Sequence, residues 1–554
     1  MLRRTVALLV LPALFAANPV GFQKKLSKGA RIEHALNRLT FGATDADRAM
    51  ISQLGVEKWI DLQLHPQRLP ENPALLARLA KLDSLAMNAA QIADKYPPPN
   101  VLRQLARSGN LAQIKDPVLR ARLERYAERL QEKKDENAEP KAAVLTPEEA
   151  KAFRQATPEE RKALLAKLEP AKRDAVLARL PAGRPEIMNG SDLALRREMI
   201  AAQQPNQVVY HDLTDAKMMR AVHSTHQVEE ILADFWFNHF NVLYDKGINR
   251  LLTASYERDA IRPHVLGNFK DLLLATSQHP SMLFYLDNWT SMSAEAAQRG
   301  RGKKRAQGLN ENYARELLEL HTMGVDNGYT QKDVTEVARC FTGWSMTAPK
   351  VGGGFVFNAR NHDRGEKIVL GHRIAAGGGK EDGLRVIDIL MEHPSTARFI
   401  ARKLAQRFVA DEPPPALVER MAKSFTKTKG EIAPLLALLF ASPEFWSEGA
   451  YKAKMKMPLE MVASALRATN ARVDSTVALT QQLATLGQPL YKKVEPTGYY
   501  ATAEEWTNSA ALLARMNFAM ALTSNKVPGV KVPIAPSEAR AKGLALGGPE
   551  FQRH

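Results

Sequence analysis

The sequence predicts a mostly α-helical, multi-helix globular fold with one small region of β-structure. Leu, Ala, Arg, Glu and Lys dominate the chain and β-branched runs are scarce, a composition that favours helices. Apolar residues also recur at helical spacing in one segment after another. Only residues 343–383 differ, because glycines there surround short apolar runs such as Phe355–Phe357 and Lys367–Leu370. We therefore expect a β-hairpin in this region.

The N-terminal residues resemble a secretory signal. Arg3 and Arg4 precede a short apolar run from Val6 to Ala17. A basic start followed by a short apolar run is typical of a signal peptide and is short for a membrane span. We expect residues 1–17 to be a signal peptide or N-terminal anchor, and the protein to be periplasmic or secreted. No later segment predicts a transmembrane helix.

Three further parts follow along the chain. Residues 26–530 predict one helical domain, in which Thr44 before Asp45 is an early helix-start signal. Residues 115–185 predict a charged helical insertion, because a Thr-Pro-Glu-Glu helix start at Thr146 recurs at Thr157. Residues 531–554 are rich in Gly, Pro and Lys, so we expect a flexible C-terminal tail.

The chain is strongly basic. It has 77 Lys and Arg residues against 60 Asp and Glu, a net charge of +17. This favours an anionic ligand or surface, although scattered Lys and Arg also simply solvate helix faces. No nucleic-acid-binding motif accompanies the charge. Cys340 is the one cysteine, so it forms no intramolecular disulfide, and we expect it to fill the core.

A helix predicted over Glu311–Met323 carries a polar stripe. At helical spacing, Asn312, Arg315, Glu316 and Glu319 share one side, whereas His321 lies on the apolar side. Such a stripe either lines a cleft or forms a solvated face with an Arg315–Glu319 ion pair.

A second helix, predicted over Thr225–Val242, places His239 among apolar residues and Asn238 on the opposite side. A histidine on an apolar face is usually a buried neutral ring. Because His321 has the same placement, both rings alternatively face one internal cavity that holds a metal or a substrate. Neither histidine has the spacing of a metalloprotease motif.

The glycine-rich region contains a third polar group: His362, Asp363 and Lys367. Loop residues of these types are candidates for chemistry. The alternative is a tight turn in which Asp363 hydrogen-bonds its own backbone. Asp287-Asn288, after the apolar run Met282–Leu286, is a similar but weaker candidate.

Several motifs in this order resemble the DUF1800 family. They are Leu36–Gly42, Trp236–Val242, Asn310–Gly324, Gly328–Val334, Thr342–Trp344, His362–Gly371, His393–Ala397, Phe408-Val409, Trp506–Asn508 and Asn517-Phe518. The resemblance implies an exported, mostly helical bacterial protein with no established activity, often encoded beside a sulfatase-like DUF1501 partner. It also matches the family's recurrent polar positions here: Asn238, His239, Asp287, Asn288, Asn310, Asn312, Glu316, Glu319, His321, His362, Asp363 and Lys367.

Two functions from different classes remain open. The first is a hydrolase acting on an anionic substrate, either carboxylate-based or assisted by a divalent metal. Its predicted catalytic residues are Glu316, Glu319, His362 and Asp363, its substrate-binding residues Asn238, Asp287, Asn288, Asn310, Asn312 and Lys367, and its weak metal ligands His239 and His321. The second is a non-catalytic helical scaffold for another exported protein, resembling DUF1501. Redox chemistry is disfavoured, because the chain has no dinucleotide fingerprint or cysteine cluster.

Overall fold

A computed structural model describes residues 20–98, 102, 117–132, 145–179, 191–299 and 308–554. Helices dominate these residues, which confirms the predicted fold class. The expected signal segment, residues 1–17, lies outside the described residues. Within the described part, no helix is both long and apolar enough to span a bilayer.

The secondary structure alternates helices with short turns. The α-helices are Lys28–Leu39, Asp45–Leu54, Val56–Leu64, Pro73–Leu79, Ala89–Lys95, Pro117–Glu132, Pro147–Gln155, Pro158–Ala166, Pro170–Arg179, Leu193–Gln203, Gln207–His223, Gln227–His239, Asn249–Ser255, Phe269–Gln278, Pro280–Tyr285, Ala294–Arg299, Asn312–Glu316, Gln331–Phe341, Glu381–Glu392, Pro394–Phe408, Pro415–Lys427, Ile432–Ala441, Pro458–Ala468, Val477–Thr485, Ser509–Thr523, Pro536–Gly547 and Pro549–Gln552. The 3-10 turns are Val20–Gln23, Pro66–Arg68, Asp83–Leu85, Arg262–His264, Asn288–Thr290, Pro349–Val351 and Ala503–Trp506. Two π-helical turns span Tyr256–Ile261 and Leu317–Thr322.

Helix starts follow the local sequence. The side chain of Thr44 accepts a hydrogen bond from the backbone N–H of Asp47, whose carboxylate accepts one from the backbone N–H of Thr44. The same reciprocal cap begins the helices at Pro147, Pro158 and Gln331. Each such cap satisfies two backbone donors that the first helical turn leaves free.

One apolar cluster unites most of the described chain, from Ala35 to Leu546, with Cys340 fully buried inside it as expected. A second, smaller cluster lies in and beside the predicted charged insertion. It consists of Phe153, Leu165, Val176, Leu177, Leu195, Met199 and Ala202. The described residues of the insertion are therefore helical and contribute to a small apolar core next to the main one.

The glycine-rich region contains two short antiparallel hairpins. Strand Trp344–Met346 pairs with Phe355–Phe357, and Lys367–Val369 pairs with His372–Ile374. A third pairing, Arg472–Val473 with Val530–Lys531, was not predicted from the sequence. It joins segments far apart in the chain, and its strands are too short to produce an alternating pattern.

The segment Tyr256–Ser277 is not one continuous helix. Its π-turn Tyr256–Ile261 leads into a 3-10 turn, and an α-helix resumes only at Phe269. Pro263 has no backbone N–H and its ring clashes with the preceding turn, so an α-helix does not continue through it.

The C-terminal residues differ from the expected loose tail. Pro536–Gly547 forms a helix that packs on Ser509–Thr523, and the side chain of His554 is buried. A Cβ atom at Gly543 would lie 2.6 Å from Sδ of Met520. Glycine therefore lets two helices approach closely here, rather than loosening the chain.

Candidate functional site

The helix that carries Glu316 and Glu319 changes its winding between them. It is α-helical over Asn312–Glu316 and becomes a π-helix over Leu317–Thr322. The predicted division of faces is confirmed for the apolar side, where His321 is buried. Glu316 and Glu319 are half-buried, and Asn312 is exposed. Single π-turns of this kind often occur at functional sites.

Glu316 is the least satisfied carboxyl group of the predicted set. Its side chain is half-buried, and no described residue donates a hydrogen bond to it. Burial, and then the negative charge of Glu319, raise the pKa of Glu316 to about 7, against the opposing charge of Arg315. A substantial fraction of Glu316 is therefore protonated at neutral pH.

Glu319 has a partner that the sequence did not suggest. The phenol of Tyr329 donates a hydrogen bond to Oε2 of Glu319 at 3.3 Å. The expected Arg315–Glu319 ion pair is absent from the described structure, and Arg315 donates to Gln331 instead. The π-turn after Glu316 explains the difference, because it shifts Glu319 from its α-helical register.

A tyrosine also approaches the pair from another helix. Burial and the charge of Glu316 raise the pKa of Tyr285, whose hydroxyl donates to the carbonyl of Val494 at 2.6 Å. Sequence reasoning did not single out Tyr285, since it lies in an apolar run. Two carboxyl groups with unequal environments, beside phenols, suit the donation and acceptance of protons.

Asn238 serves as an anchor for a distant loop. Its amide donates to the carbonyl of Tyr499 at 2.8 Å and accepts from the N–H of Tyr499 at 2.7 Å. Asn241 similarly donates to the carbonyls of Lys493 and Glu495. The predicted substrate-binding amide of Asn238 is thus occupied by the protein's own backbone.

The group around Asp287 also holds a loop. The Asp287 backbone is left-handed, with φ of 62°, and its carboxylate pairs with Lys246 at 2.9 Å. Asn288 is fully buried and donates to two carbonyls, those of Phe341 and Trp344. Asn310 donates to the carbonyl of Asp287 at 3.0 Å.

Asn312 differs from the other predicted amides. Its backbone N–H donates to Oδ1 of Asn310, but its side chain is exposed and has no hydrogen bond to a described residue. Among the predicted asparagines whose surroundings the structure describes, it is the one with a wholly unengaged side chain.

His362 and Lys367 form a buried cluster around Asp382. Nδ1 of His362 donates to the carbonyl of Thr342 at 2.8 Å, and its Nε2 lies 3.2 Å from Oδ2 of Asp382. Nζ of Lys367 donates to the same Oδ2 at 2.8 Å. Both side chains are enclosed, with exposed fractions of 1% and 0%. Asp382 lies outside the family motifs considered above, and no local pattern marked it.

Asp363 is paired with a neighbouring helix. Its carboxylate accepts from Nε and Nη2 of Arg339, at 2.9 and 3.1 Å, and from the backbone N–H of Gly365. Arg339 therefore holds the pKa of Asp363 below its ordinary value, despite partial burial. The turn expected from Asp363 and Gly365 is present.

The two halves of the predicted site are not bonded to each other. In the described structure, no hydrogen bond or ion pair links Glu316 or Glu319 to His362, whose two ring nitrogens are both engaged elsewhere. None of the predicted residues lines either of two cavities found elsewhere, a groove of about 960 Å³ and a smaller cavity of about 240 Å³.

His239 and His321 lie side by side in the interior. Their ring centroids are 6.2 Å apart, and Nε2 of His239 donates to the carbonyl of His321 at 3.0 Å. Burial lowers the pKa of both rings, that of His321 to about 3. Among the described residues, no group of three His, Cys, Asp or Glu side chains suits a metal ion. These two rings therefore do not form a metal site with any described third ligand, and they fit the expected buried neutral histidines.

Comparison with known proteins identifies the family. A family model described as a protein of unknown function, DUF1800, matches residues 34–547. No curated protein and no solved structure matches the chain. The match includes every predicted site residue and the described part of the charged insertion. The chain therefore belongs to the DUF1800 family.

Proposed function

We propose that this chain is an exported hydrolase in which Glu316 and Glu319 act as an acid–base pair. One observation supports the proposal above others: Glu316 is half-buried beside a second carboxylate, and no described residue donates to it. Strongly perturbed carboxyl groups concentrate at catalytic sites, although structural networks perturb them too. Neighbouring carboxyls with separated pKa values are typical acid–base assignments.

The proposed roles follow from the protonation states. Glu316, with a pKa of about 7, donates its proton to the oxygen of the leaving group. Glu319 accepts a proton from the attacking water, whose oxygen bonds to the electrophilic centre of the substrate while the bond from that centre to the leaving-group oxygen breaks. The leaving group takes the Glu316 proton and departs as the product alcohol. Transfer of the proton from Glu319 through solvent back to Glu316 restores the starting state. Asn312, with an exposed and unengaged amide, orients the substrate. The net charge of +17 favours an anionic substrate.

His362 and Asp363 have no part in this proposal. Their contacts with Thr342, Asp382 and Arg339 instead hold the second hairpin on its neighbouring helices. The proposal also needs no metal, since the two carboxyl groups supply both proton transfers.

A scaffold for another exported protein is the second candidate. One specific observation favours it: the side chains of Asn238, Asn288, Asn310 and Lys367 all bind backbone carbonyls. Most of the family's polar positions would then stabilise the fold. A DUF1501-like protein is the partner that the resemblance implies.

A hydrolysis screen tests the two candidates. The purified chain would be assayed with p-nitrophenyl acetate, phosphate, sulfate and β-glucuronide, alongside Glu316→Gln and Glu392→Gln. Glu392 is exposed at the end of another helix, so it serves as the matched control. We expect release from at least one substrate and a loss of about 100-fold or more in Glu316→Gln only. Equal rates in all three proteins, or no release by the wild type, would favour the scaffold.

A further inference from the structure

A cavity of about 240 Å³ lies away from the Glu316 site, with walls of two kinds. Leucine and alanine side chains, including Leu79, Leu213 and Ala216, form an apolar part. The polar part contains three cations and two anions: Arg220, Arg258, Arg262, Asp83 and Glu257. A mainly apolar pocket with a few converging polar groups is the usual form of a small-molecule site.

The π-turn Tyr256–Ile261 shapes the polar end of this cavity. Glu257 lies on that turn and is buried, with 3% of its surface exposed. Its carboxylate accepts from the hydroxyl of Tyr491 at 2.6 Å and from Nε of Arg262 at 3.0 Å. Despite burial, the nearby cations Lys217, Arg262 and Arg220 lower the pKa of Glu257 to about 2. Glu257 is therefore a fixed anion in this wall.

Two of the three arginines on the wall are fully engaged. Arg262 donates to both oxygens of Glu230, at 3.0 and 2.8 Å, as well as to Glu257. Arg258 donates to Asp259 and to the carbonyls of Leu85 and Met87. Neither guanidinium has a full set of donors left for a ligand.

Arg220 differs from both. Its closest acidic contact is a long one, 3.9 Å from Nε to Oε1 of Glu230, and its guanidinium makes no hydrogen bond to a described residue. Its side chain is 22% exposed, so most of it is removed from solvent. A planar guanidinium with free donors matches a carboxylate, which it binds through two parallel hydrogen bonds.

We propose that this cavity binds a small apolar monocarboxylate, with the carboxylate on Arg220 and the hydrocarbon chain against Leu79, Leu213 and Ala216. The volume of about 240 Å³ corresponds to about eight water molecules. Hexanoate has about eight non-hydrogen atoms, one for each of these water molecules, so an acid of roughly its size fits the cavity. The cavity shares no residue with the Glu316 site, so this proposal stands independently of hydrolysis.

Calorimetric titration of the full chain with hexanoate, hexan-1-ol, hexylamine and acetate tests both halves of the proposal. We expect hexanoate to bind at least tenfold more tightly than each of the other three. Hexan-1-ol binding as tightly as hexanoate would contradict the role of Arg220, and acetate binding as tightly would contradict the apolar part.

Two variants locate the ligand. Arg220→Met should weaken hexanoate binding at least tenfold, whereas Arg250→Met should not, because Arg250 pairs with Asp245 outside the cavity. Ala86→Phe is the second variant. Ala86 lines the cavity and is exposed to solvent. We therefore expect the larger side chain to obstruct the cavity without disturbing the core. Unchanged hexanoate binding in Ala86→Phe and Arg220→Met would overturn the proposal.

Discussion

Nζ of Lys367 lies 2.8 Å from Oδ2 of Asp382, in an ion pair whose two side chains are 0% and 5% exposed. The pair connects the second hairpin to the Glu381–Glu392 helix, and Nε2 of His362 contacts the same oxygen. A buried structural cluster therefore contains His362 and Lys367, which the sequence suggested as catalytic or binding residues. It also contains Asp382, which no sequence pattern marked.

Breaking this pair should destabilise the fold. Lys367→Met leaves the Asp382 carboxylate buried without its ammonium partner, and we expect a loss of about 3–5 kcal/mol in the free energy of unfolding. Urea unfolding followed by circular dichroism measures it. Arg373→Met is the control, because Arg373 pairs with Glu366 on the surface, where an ion pair contributes little to stability. A loss in Lys367→Met no larger than in the control would contradict the structural role.

Glu316 should titrate close to neutral pH. Carboxyl carbon NMR of labelled glutamate, assigned with Glu316→Gln, should give a midpoint of about 7. Glu319→Gln should lower that midpoint, because it removes the neighbouring negative charge. Glu392→Gln should leave it unchanged. A wild-type midpoint at the ordinary glutamate value of 4.5 would remove the basis of the acid–base proposal.

The same shift links stability to pH. The folded pKa of Glu316 lies above its unfolded value, so the native state binds more protons than the unfolded state between pH 4.5 and about 7. The contribution of Glu316 to stability is therefore complete below pH 4.5 and is lost as the pH rises through 7. Urea midpoints across this range should fall less steeply in Glu316→Gln than in the wild type, and parallel slopes would count against the shift.

Gly498 should be intolerant of any side chain. Its φ is +69°, and a Cβ atom there would lie 2.2 Å from the carbonyl oxygen of Asn238. We expect Gly498→Ala to lower the free energy of unfolding by more than about 1 kcal/mol. It should also increase proteolytic cleavage near Tyr499. Gly354→Ala is the control, because a Cβ atom there meets open space. Equal behaviour of the two variants would show that the loop adjusts freely.

Export should depend on the apolar run at the N-terminus. Val10→Arg places a charge inside the run Val6–Ala17 and should leave the protein in the cytoplasm, whereas Val10→Ile should not. Cell fractionation and immunoblotting measure the distribution. Export of both variants alike would refute the signal peptide.

Local sequence predicted the helix starts and the buried histidines. Thr44, Thr146 and Thr157 form caps as their spacing indicates, and His321 lies on the apolar side of its helix. These features depend on neighbours within a few residues. Pro263 is a local cause of the same kind, because proline lacks the backbone N–H that an α-helix needs, and the α-helix resumes only at Phe269.

The sequence by itself determined a mostly helical chain, its family and the faces of its main helices, because helical spacing and caps are local properties. Only the tertiary structure decided which polar groups are available. Lys367 donates a hydrogen bond to Asp382, and Asn238 donates one to the carbonyl of Tyr499. The carboxyl group of Glu316, by contrast, accepts no hydrogen bond from a described residue. The reason is physical: a side chain's hydrogen bonds and pKa depend on burial and on charges that distant parts of the chain bring to it.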